Sequence, residues 1–349
     1  MQKKILSVLK YLLFLGLGVF LVWWSLHKIP EKNWPYFKQA IVTARYWIII
    51  PVFFILTGSH MIRAYRWRML MYPMGYRPTF ANTFFAVMIG YLANMAVPRL
   101  GEVLKCTILA RYEKVPADKL VGTIVAERAF DIIFLLLLFL LAFIFQYDIV
   151  SHYSSALFKK FFASSNGSVS ILKILMVVFV VLLVLAFIRA WLNRNRHLSF
   201  IVSIKQVLKG IWQGLVSVKH LHHKWPFLFA SIGIWVLYIG GTWLGFYATA
   251  GTEHLGIDVA IAALAFGSVG MILTPGGFGS YAIFLALILQ KNHVAPEIAL
   301  ANGNLQWFAQ FIIVLLLGFL SLLLLPYFNK HLKTNAPNEH HTSKDLPVS

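Results

Sequence analysis

Charged side chains are sparse in this chain, and they gather in one stretch. Five of its 12 acidic residues lie between positions 102 and 131. Within NMAVPRLGEVLK (94–105) and AERAFD (126–131), six charged side chains stand at helical spacings: Arg99, Glu102, Lys105, Glu127, Arg128 and Asp131. Residues three and four positions apart share one face of a helix. Such groups can pair with each other, hold a divalent metal, or bind a phosphate through an arginine.

Ion pairing between two helices is the simplest arrangement of these charges, because ionisable groups at membrane depth usually pair. We expect Arg99 or Lys105 to pair with Glu127 or Asp131. The arginine of AERAFD should pair with the glutamate of the first block. These pairs either hold neighbouring helices together or leave one or two cations to bind the phosphate of a lipid head group.

The helices that must position these charges are those of a membrane protein. Of 349 residues, 59% are hydrophobic and 12% are charged, against about one quarter charged in soluble domains. Continuous apolar runs such as 132–145 and 311–325 are typical of α-helical spans rather than of the alternating strands of a barrel. The net charge of +19 fits contact with anionic lipid rather than with nucleic acid. The single Cys106 allows no intrachain disulfide, and no metal or cofactor is expected.

Basic residues in the connections predict which side of the membrane each one faces. The apolar segments are 5–26, 46–62, 79–97, 120–146, 171–189, 226–250, 257–274, 279–290 and 297–326. The strongly basic connection 189–225 belongs in the cytoplasm, and 251–257, which has no lysine or arginine, belongs outside. The same rule places both chain termini in the cytoplasm of a multi-pass inner-membrane (cell-membrane) protein.

Two pairs of segments must enter and leave the membrane on the same side for these assignments to agree. We therefore predict an all-α polytopic protein with about six full spans and two opposed re-entrant helical hairpins. The hairpins belong to inverted halves at about 46–146 and 226–326, within one transmembrane domain covering 1–326. Their turns carry helix breakers and small residues: Asn94, Pro98, Gly101, Pro275, Gly276, Gly277 and Gly279. Interrupted segments at corresponding positions of inverted halves indicate a transport site near the midplane.

Three further segments have weaker signals. Residues 198–221 form an amphipathic pattern that predicts an interfacial helix or an ordinary connector, and 327–349 predicts a disordered cytoplasmic tail. The motif RAYRWRML (63–70) is typical of an anchoring belt at the lipid boundary, with lipid-phosphate binding as the alternative. Four amides of the last span either bond across helices or face a cavity: Asn302, Asn304, Gln306 and Gln310.

The blocks NMAVPRLGEVLK, AERAFD and TPGGFG together resemble the lysylphosphatidylglycerol synthase transmembrane region, also called the flippase-like domain family. The resemblance covers about residues 10–326 and implies a lipid-translocating membrane domain with inverted re-entrant helices. Two departures matter. Many members carry a glutamate just after the glycine turn, where this chain has Ala282. The full synthase also has a soluble aminoacyl-transferase domain, and the few polar residues after the last span lead us to expect no aminoacylation.

The leading hypothesis for function is a flippase-like protein that moves a phospholipid or a polyprenyl-linked lipid. The head group would pass through a polar cleft between the hairpins, so that anionic membrane lipids are the expected partners. A homo-oligomer is a further possibility. The alternative is an integral-membrane lipid-phosphate phosphatase or transferase, with Glu127 and Asp131 as metal carboxylates. No histidine or serine stands beside these acids as a nucleophile or base, so no catalytic residue is assigned. A nonenzymatic partner that recruits a glycosyltransferase is a third hypothesis.

Overall fold

The computed structural model describes residues 16–97, 99–147 and 224–334, the last four of them by their backbone alone. Pro98, the predicted segment 171–189, the amphipathic segment 198–221 and the end of the tail, 335–349, lie outside the described residues. The described part is all-helical, as the composition predicted, and contains no β-strand.

Ten α-helices run through the described residues. In chain order they are α1 (Gly16–His27), α2 (Trp34–Val42), α3 (Ile49–Met71), α4 (Phe80–Ala96), α5 (Leu100–Tyr112), α6 (Ala117–Phe145), α7 (Lys224–Phe246), α8 (Ile257–Leu273), α9 (Ser280–Lys291) and α10 (Pro296–Thr334). Short 3₁₀ turns lie between some of them, including Pro275–Gly277 between α8 and α9.

Four helical stretches of the described chain are long and apolar enough to cross a membrane: Tyr46–Met74, Ala117–Phe145, Lys224–Phe246 and Pro296–Lys330. They coincide with four of the six full spans predicted; the other two lie partly or wholly outside the described residues. The final helix continues past Pro326 to Thr334, so the boundary expected at 326 falls inside α10.

The helices of the predicted hairpins are shorter. With 17 and 13 residues, α4 and α5 are about 26 and 20 Å long at 1.5 Å per residue, less than the 30 Å of a typical hydrocarbon core. The same holds for α8 and α9, with 17 and 12 residues. Each pair packs side by side as an antiparallel helical hairpin.

Close backbone approach holds the first hairpin together near its tip. A Cβ on Gly101 would clash with the carbonyl oxygen of Gly90 and lie 2.7 Å from Oδ1 of Asn94. That oxygen accepts the backbone N–H of Gly101 at 2.7 Å. Asn94 and Gly101, which the sequence assigned to the turn, are therefore the last-turn and first-turn residues that clamp α4 to α5.

The second hairpin turns through glycines in left-handed backbone conformations. Gly276, Gly277 and Gly279 have φ values of 59°, 71° and 75°, a region that L-residues with side chains rarely adopt. The hydroxyl of Ser280 donates to the carbonyl of Gly270 at 2.5 Å and joins the two arms. The predicted glycine turn is present.

The tips of the two hairpins meet. A Cβ built on Gly276 would lie 3.6 Å from the Cα of Met95, at the end of α4. From the last helix, the indole N–H of Trp307 donates to the carbonyl of Gly276 at 2.8 Å. The glycine turn is therefore enclosed between α4 and α10.

The helices of the two halves pack against each other in a symmetric way. The first-half helix α6 packs against α8, while its counterpart α10 packs against α4; α3 and α7 pack against each other. The start of α4 and the end of α5 lie together. There, Asn82 donates to Glu113 (2.6 Å) and to Asn329 of α10 (2.9 Å). The second hairpin begins where Gln146 donates to Asp258 at 2.8 Å. The hairpins thus start from different ends of the bundle.

Candidate functional site: a buried ionic cluster beside the first hairpin

The long helix α3 carries two arginines one turn apart on its covered face. Arg63 is 6% exposed and Arg66 is fully buried, as is the neighbouring Trp67. The indole of Trp67 donates to Thr123 of α6 at 2.9 Å. The helix continues to Met71, beyond the apolar segment 46–62, and packs against α6 and α7, which cover this motif. The interpretation of RAYRWRML as a belt at the lipid boundary is therefore wrong for these three residues.

Two carboxylates of α6 form ion pairs with the arginines. Asp131 accepts from Arg63 Nη1 and from Arg66 Nη2, each at 2.7 Å. Glu127 lies 3.2 Å from Arg63 Nη1 and 3.7 Å from Arg66 Nη2. The four-residue spacing of the acids matches the one-turn spacing of the arginines, so each carboxylate reaches both guanidinium groups.

Lys105 completes the ionic cluster from the returning arm of the hairpin. Its Nζ donates to Oε2 of Glu127 at 3.0 Å and lies 4.4 Å from the centre of the Trp67 ring. Of the two cations expected to face these acids, the lysine is the one that does. We define the ionic cluster as Arg63, Arg66, Lys105, Glu127 and Asp131.

The ionic cluster has an excess of positive charge. Three cations face two carboxylates, and their side chains are between 0% and 16% exposed. At its edge Arg128 donates to Glu102 at 3.0 Å, the second predicted pair, which is more exposed and electrically neutral. An unbalanced charge in a low-dielectric interior is costly, so the excess needs an anion or a protonation change to offset it.

Arg99 stands apart from the ionic cluster. It immediately precedes α5, with a left-handed φ of 68°, and its side chain is exposed. Within the described chain it forms no salt bridge, so the alternative in which Arg99 pairs with Glu127 or Asp131 is wrong. Because α5 begins at Leu100, Arg99 lies outside the helical face that Glu102 and Lys105 share.

The second half carries neutral polar groups where the first half carries charges. Along α10, Asn302, Gln306 and Gln310 recur every four residues, as Glu127 and Asp131 do on α6. Asn302 donates across the helices to Gly245 (3.0 Å) and Gln310 donates to Tyr281 (2.9 Å). Bonding across helices is thus confirmed for these two amides; the other two bond within α10, Gln306 to Asn302 and Asn304 to Leu300.

Position 282, where many family members carry a glutamate, is buried in this protein and holds an alanine. It is 2% exposed, and a Cβ on Gly303 of α10 would lie 2.6 Å from its carbonyl oxygen. The backbones of α9 and α10 touch at this point. A glutamate at position 282 would therefore bring a carboxylate into a buried position, which is costly without a partner.

Sequence reasoning missed that Arg63 and Arg66 pair with the acids of α6; it had assigned their motif to the lipid boundary, with lipid-phosphate binding as the alternative. Their i, i+3 spacing in an apolar helix matches the i, i+4 spacing of the acids on α6, and this match was the available signal. Among the described residues no group of three or more His, Cys, Asp or Glu side chains has the arrangement of a metal site.

Long apolar helices that enclose a cluster of ion pairs define a multi-pass helical membrane protein. The chain belongs to the family described as the lysylphosphatidylglycerol synthase TM region, whose model matches residues 7–318. It is also similar to the UPF0104 membrane protein MJ1595 of Methanocaldococcus jannaschii, with 22% identity over 332 residues, 93% of this chain and 95% of the relative. No solved structure matches the chain. Family membership relates the protein to membrane lipids.

Proposed function

We propose that this protein moves lipids with a phosphate-bearing, anionic head group across the cell membrane, without breaking a covalent bond. The head group passes between the tips of the two hairpins while the acyl or polyprenyl tails stay in the hydrocarbon layer. The hairpins are re-entrant from opposite sides, the inner membrane is the site of action, and both chain ends are cytoplasmic.

Arg99 carries this proposal. It is an exposed arginine, without a salt bridge in the described chain, at the tip of a hairpin whose arms are too short to cross a bilayer. Its left-handed backbone places a non-glycine residue in an unfavourable conformation, a form of strain that clusters at functional sites. An arginine fork matches the geometry of a phosphate and binds it through two parallel hydrogen bonds.

The surroundings of the tip also favour an anion. The helices α5 and α9 both begin at hairpin tips, and helix N-termini carry partial positive charge and unpaired N–H groups. The ionic cluster behind the first tip has one more cation than anions. These features together supply a positive field toward which a negative head group moves from either leaflet.

In the phosphatase or transferase alternative, Glu127 and Asp131 would have to bind a metal ion. Both carboxylates already pair with arginines at 2.7 to 3.2 Å, and Glu127 also pairs with Lys105 at 3.0 Å. A dication bound there would lie next to three buried cations, and Coulomb repulsion in this interior would oppose it. The geometry therefore favours transport over metal-assisted hydrolysis.

Reconstitution of the full chain into phosphatidylcholine vesicles tests the proposal. The vesicles contain a trace of phosphatidylglycerol labelled with NBD on its acyl chain, and dithionite destroys the label in the outer leaflet. We expect the protein to expose the inner-leaflet label as well, with intact lipid recovered on thin-layer chromatography. Release of phosphate or of a modified lipid in the same sample would favour the enzyme.

Matched arginine variants make this test specific to the hairpin tip. Arg99→Ala should slow the loss of inner-leaflet label at least tenfold, because it removes the fork that holds the phosphate. Arg77→Ala, which removes another exposed arginine from the connection between α3 and α4, should leave the rate unchanged. Equal rates in both variants would contradict the role of Arg99. Inactivity of the unmodified protein with phosphatidylglycerol and with a polyprenyl phosphate would favour a nonenzymatic recruitment role.

A further inference from the structure

The two buried arginines form weaker hydrogen bonds toward α7 than toward α6. Toward α6, Arg63 and Arg66 bond to Asp131 at 2.7 Å. Toward α7, Arg66 Nη1 lies 3.4 Å from the hydroxyl of Ser231, and Arg63 Nη2 lies 3.5 Å from that of Tyr238. Those two distances are at the outer limit of a hydrogen bond, whereas charge-assisted bonds are normally below 3 Å. The guanidinium groups are tightly bound on one side only.

Two further donors of the same arginines have no partner. The Nε atoms of Arg63 and Arg66 are enclosed and form no hydrogen bond within the described chain. Buried polar atoms are nearly always bonded to protein or to an ordered group, and an unpaired donor on a charged side chain is especially costly. Together with the excess positive charge of the ionic cluster, these unmet donors indicate a missing acceptor that is negatively charged.

We infer that the α3–α7 seam, defined by Arg63, Arg66, Ser231 and Tyr238, binds an oxyanion of the phosphate class. Both guanidinium groups donate to it from α3. From α7, the Tyr238 hydroxyl donates, and the Ser231 hydroxyl, which now donates to the carbonyl of Phe227 at 2.9 Å, rotates to donate as well. The oxygens of a phosphate accept several hydrogen bonds at once, and its negative charge offsets the excess positive charge of the ionic cluster.

The seam is distinct from the exposed tip at Arg99. In the proposed transport the phosphate of the head group would lie at the seam after it leaves the tip. The inference rests on the proposed function only for the lipid origin of the phosphate; oxyanion binding itself is measured without transport. Two sources share this chemistry, a lipid head group and free inorganic phosphate, and the experiment separates them.

Thermal unfolding of the purified full chain in dodecyl maltoside, followed by tryptophan fluorescence, measures the binding. The probes are sodium phosphate, sodium chloride at the same ionic strength, dihexanoyl phosphatidic acid and dihexanoyl phosphatidylcholine. A ligand that binds only the folded protein raises Tm, and above its Kd the rise grows with the logarithm of the ligand concentration. We expect a rise of about 3 °C or more with phosphatidic acid and little change with chloride.

Three variants identify where the probe binds. Tyr238→Phe removes one hydroxyl and should raise the phosphatidic acid concentration needed for a given Tm shift roughly tenfold, as for one lost hydrogen bond to a charged group. Arg66→Lys keeps the charge but removes the fork and the Nε–H, and should abolish the shift. Tyr247→Phe, just past the end of α7, is the matched tyrosine control and should bind like the unmodified protein.

Each outcome decides the question. A shift with phosphatidic acid alone that the seam variants weaken assigns the seam to a lipid head group, and a shift with inorganic phosphate that they also weaken assigns it to oxyanions generally. Equal shifts with chloride, or an unchanged dependence of Tm on phosphatidic acid concentration in Tyr238→Phe, would overturn the inference even if Arg66→Lys failed to fold. Arg99→Ala should keep the full shift while losing transport, so that failure of this inference and failure of the proposed function are distinguishable.

Discussion

Lys105 and Glu127 join the returning arm of the first hairpin to the neighbouring long helix. Their Nζ and Oε2 atoms lie 3.0 Å apart, and the two side chains are 2% and 1% exposed. Because Glu127 also bonds to Arg63 of α3, the hairpin is connected through one carboxylate to two long helices. The Lys105–Glu127 pair therefore joins the first hairpin to α6 and α3, beside the more exposed pair of Arg128 and Glu102.

Lys105→Met should destabilise the protein by only about 1.5 kcal/mol, as for one lost hydrogen bond to a charged group, because the two arginines still neutralise Glu127 and Asp131 and no buried charge is left unpaired. The free energy of unfolding in detergent, measured with denaturant, checks this value. The double variant Lys105→Met with Glu127→Gln should show a coupling energy of about 1–3 kcal/mol against the two single variants. Purely additive effects would show that the pair does not fasten the hairpin.

Gly101→Ala should be among the most damaging single substitutions in the first hairpin. Its methyl group would meet the carbonyl oxygen of Gly90 and the side chain of Asn94, so α4 and α5 must separate. We expect a loss of about 3 kcal/mol or more, as for overpacking of a rigid backbone contact. Gly122→Ala on α6 is the control: nothing lies within 4 Å of its Cβ, and it should be neutral or slightly stabilising. Similar melting temperatures for the two variants would contradict the close contact.

Local patterns predicted most of the helices and part of the ionic cluster. The apolar runs fixed where long helices lie, and Pro275 with its glycines fixed the second turn, because these signals depend only on neighbouring residues. Three-residue spacing also placed Glu102 and Lys105 on one face of α5. It failed for Arg99, since the exact first residue of a helix after a proline is decided by the backbone and not by spacing.

Long-range partners were beyond local reasoning. Arg63 pairs with acids 64 and 68 positions away, and no periodicity connects segments so distant in sequence. A count of charges would have helped: the acids near position 130 need buried cations, and an arginine inside a membrane helix is too costly to leave unpaired. The symmetric packing of α6 on α8 and of α10 on α4 likewise depends on the tertiary arrangement.

Cysteine labelling should show that both ends of each hairpin face the same side of the membrane. In a Cys106→Ser background, single cysteines at Arg77 and Asp118 should react with an impermeant maleimide from one side only. Cysteines at His254 and Lys291 should react from the other side, because the hairpins begin at different ends of the bundle. Labelling of positions 77 and 118 from opposite sides would mean that the segment from α4 to α5 crosses the membrane once and is not a hairpin that enters and leaves on one side.

Arg99→Gly should separate stability from transport. The residue is exposed and has a φ of 68°, so glycine relieves backbone strain and should leave the protein as stable or more stable, by up to about 1 kcal/mol. Dithionite assays should nevertheless show slow lipid movement, because the phosphate fork is lost. A variant that melts much earlier than the unmodified protein would give Arg99 a structural role instead.

Lipid movement should persist in excess EDTA, since the carboxylates of the ionic cluster position arginines and need no dication. Asp131→Asn should weaken movement without abolishing it: the amide keeps the shape of the side chain but accepts a bond from only one guanidinium group well. The barrier to movement should rise by on the order of 1–3 kcal/mol, as for the loss of one charge-assisted bond. Asp118→Asn, an exposed acid in the first turn of the same helix, is the control and should move lipid at the unmodified rate. Movement that stops in EDTA, resumes with Mg²⁺ and accompanies phosphate release would replace transport by metal-dependent hydrolysis, because only that chemistry requires an anionic oxygen pair to hold a cation.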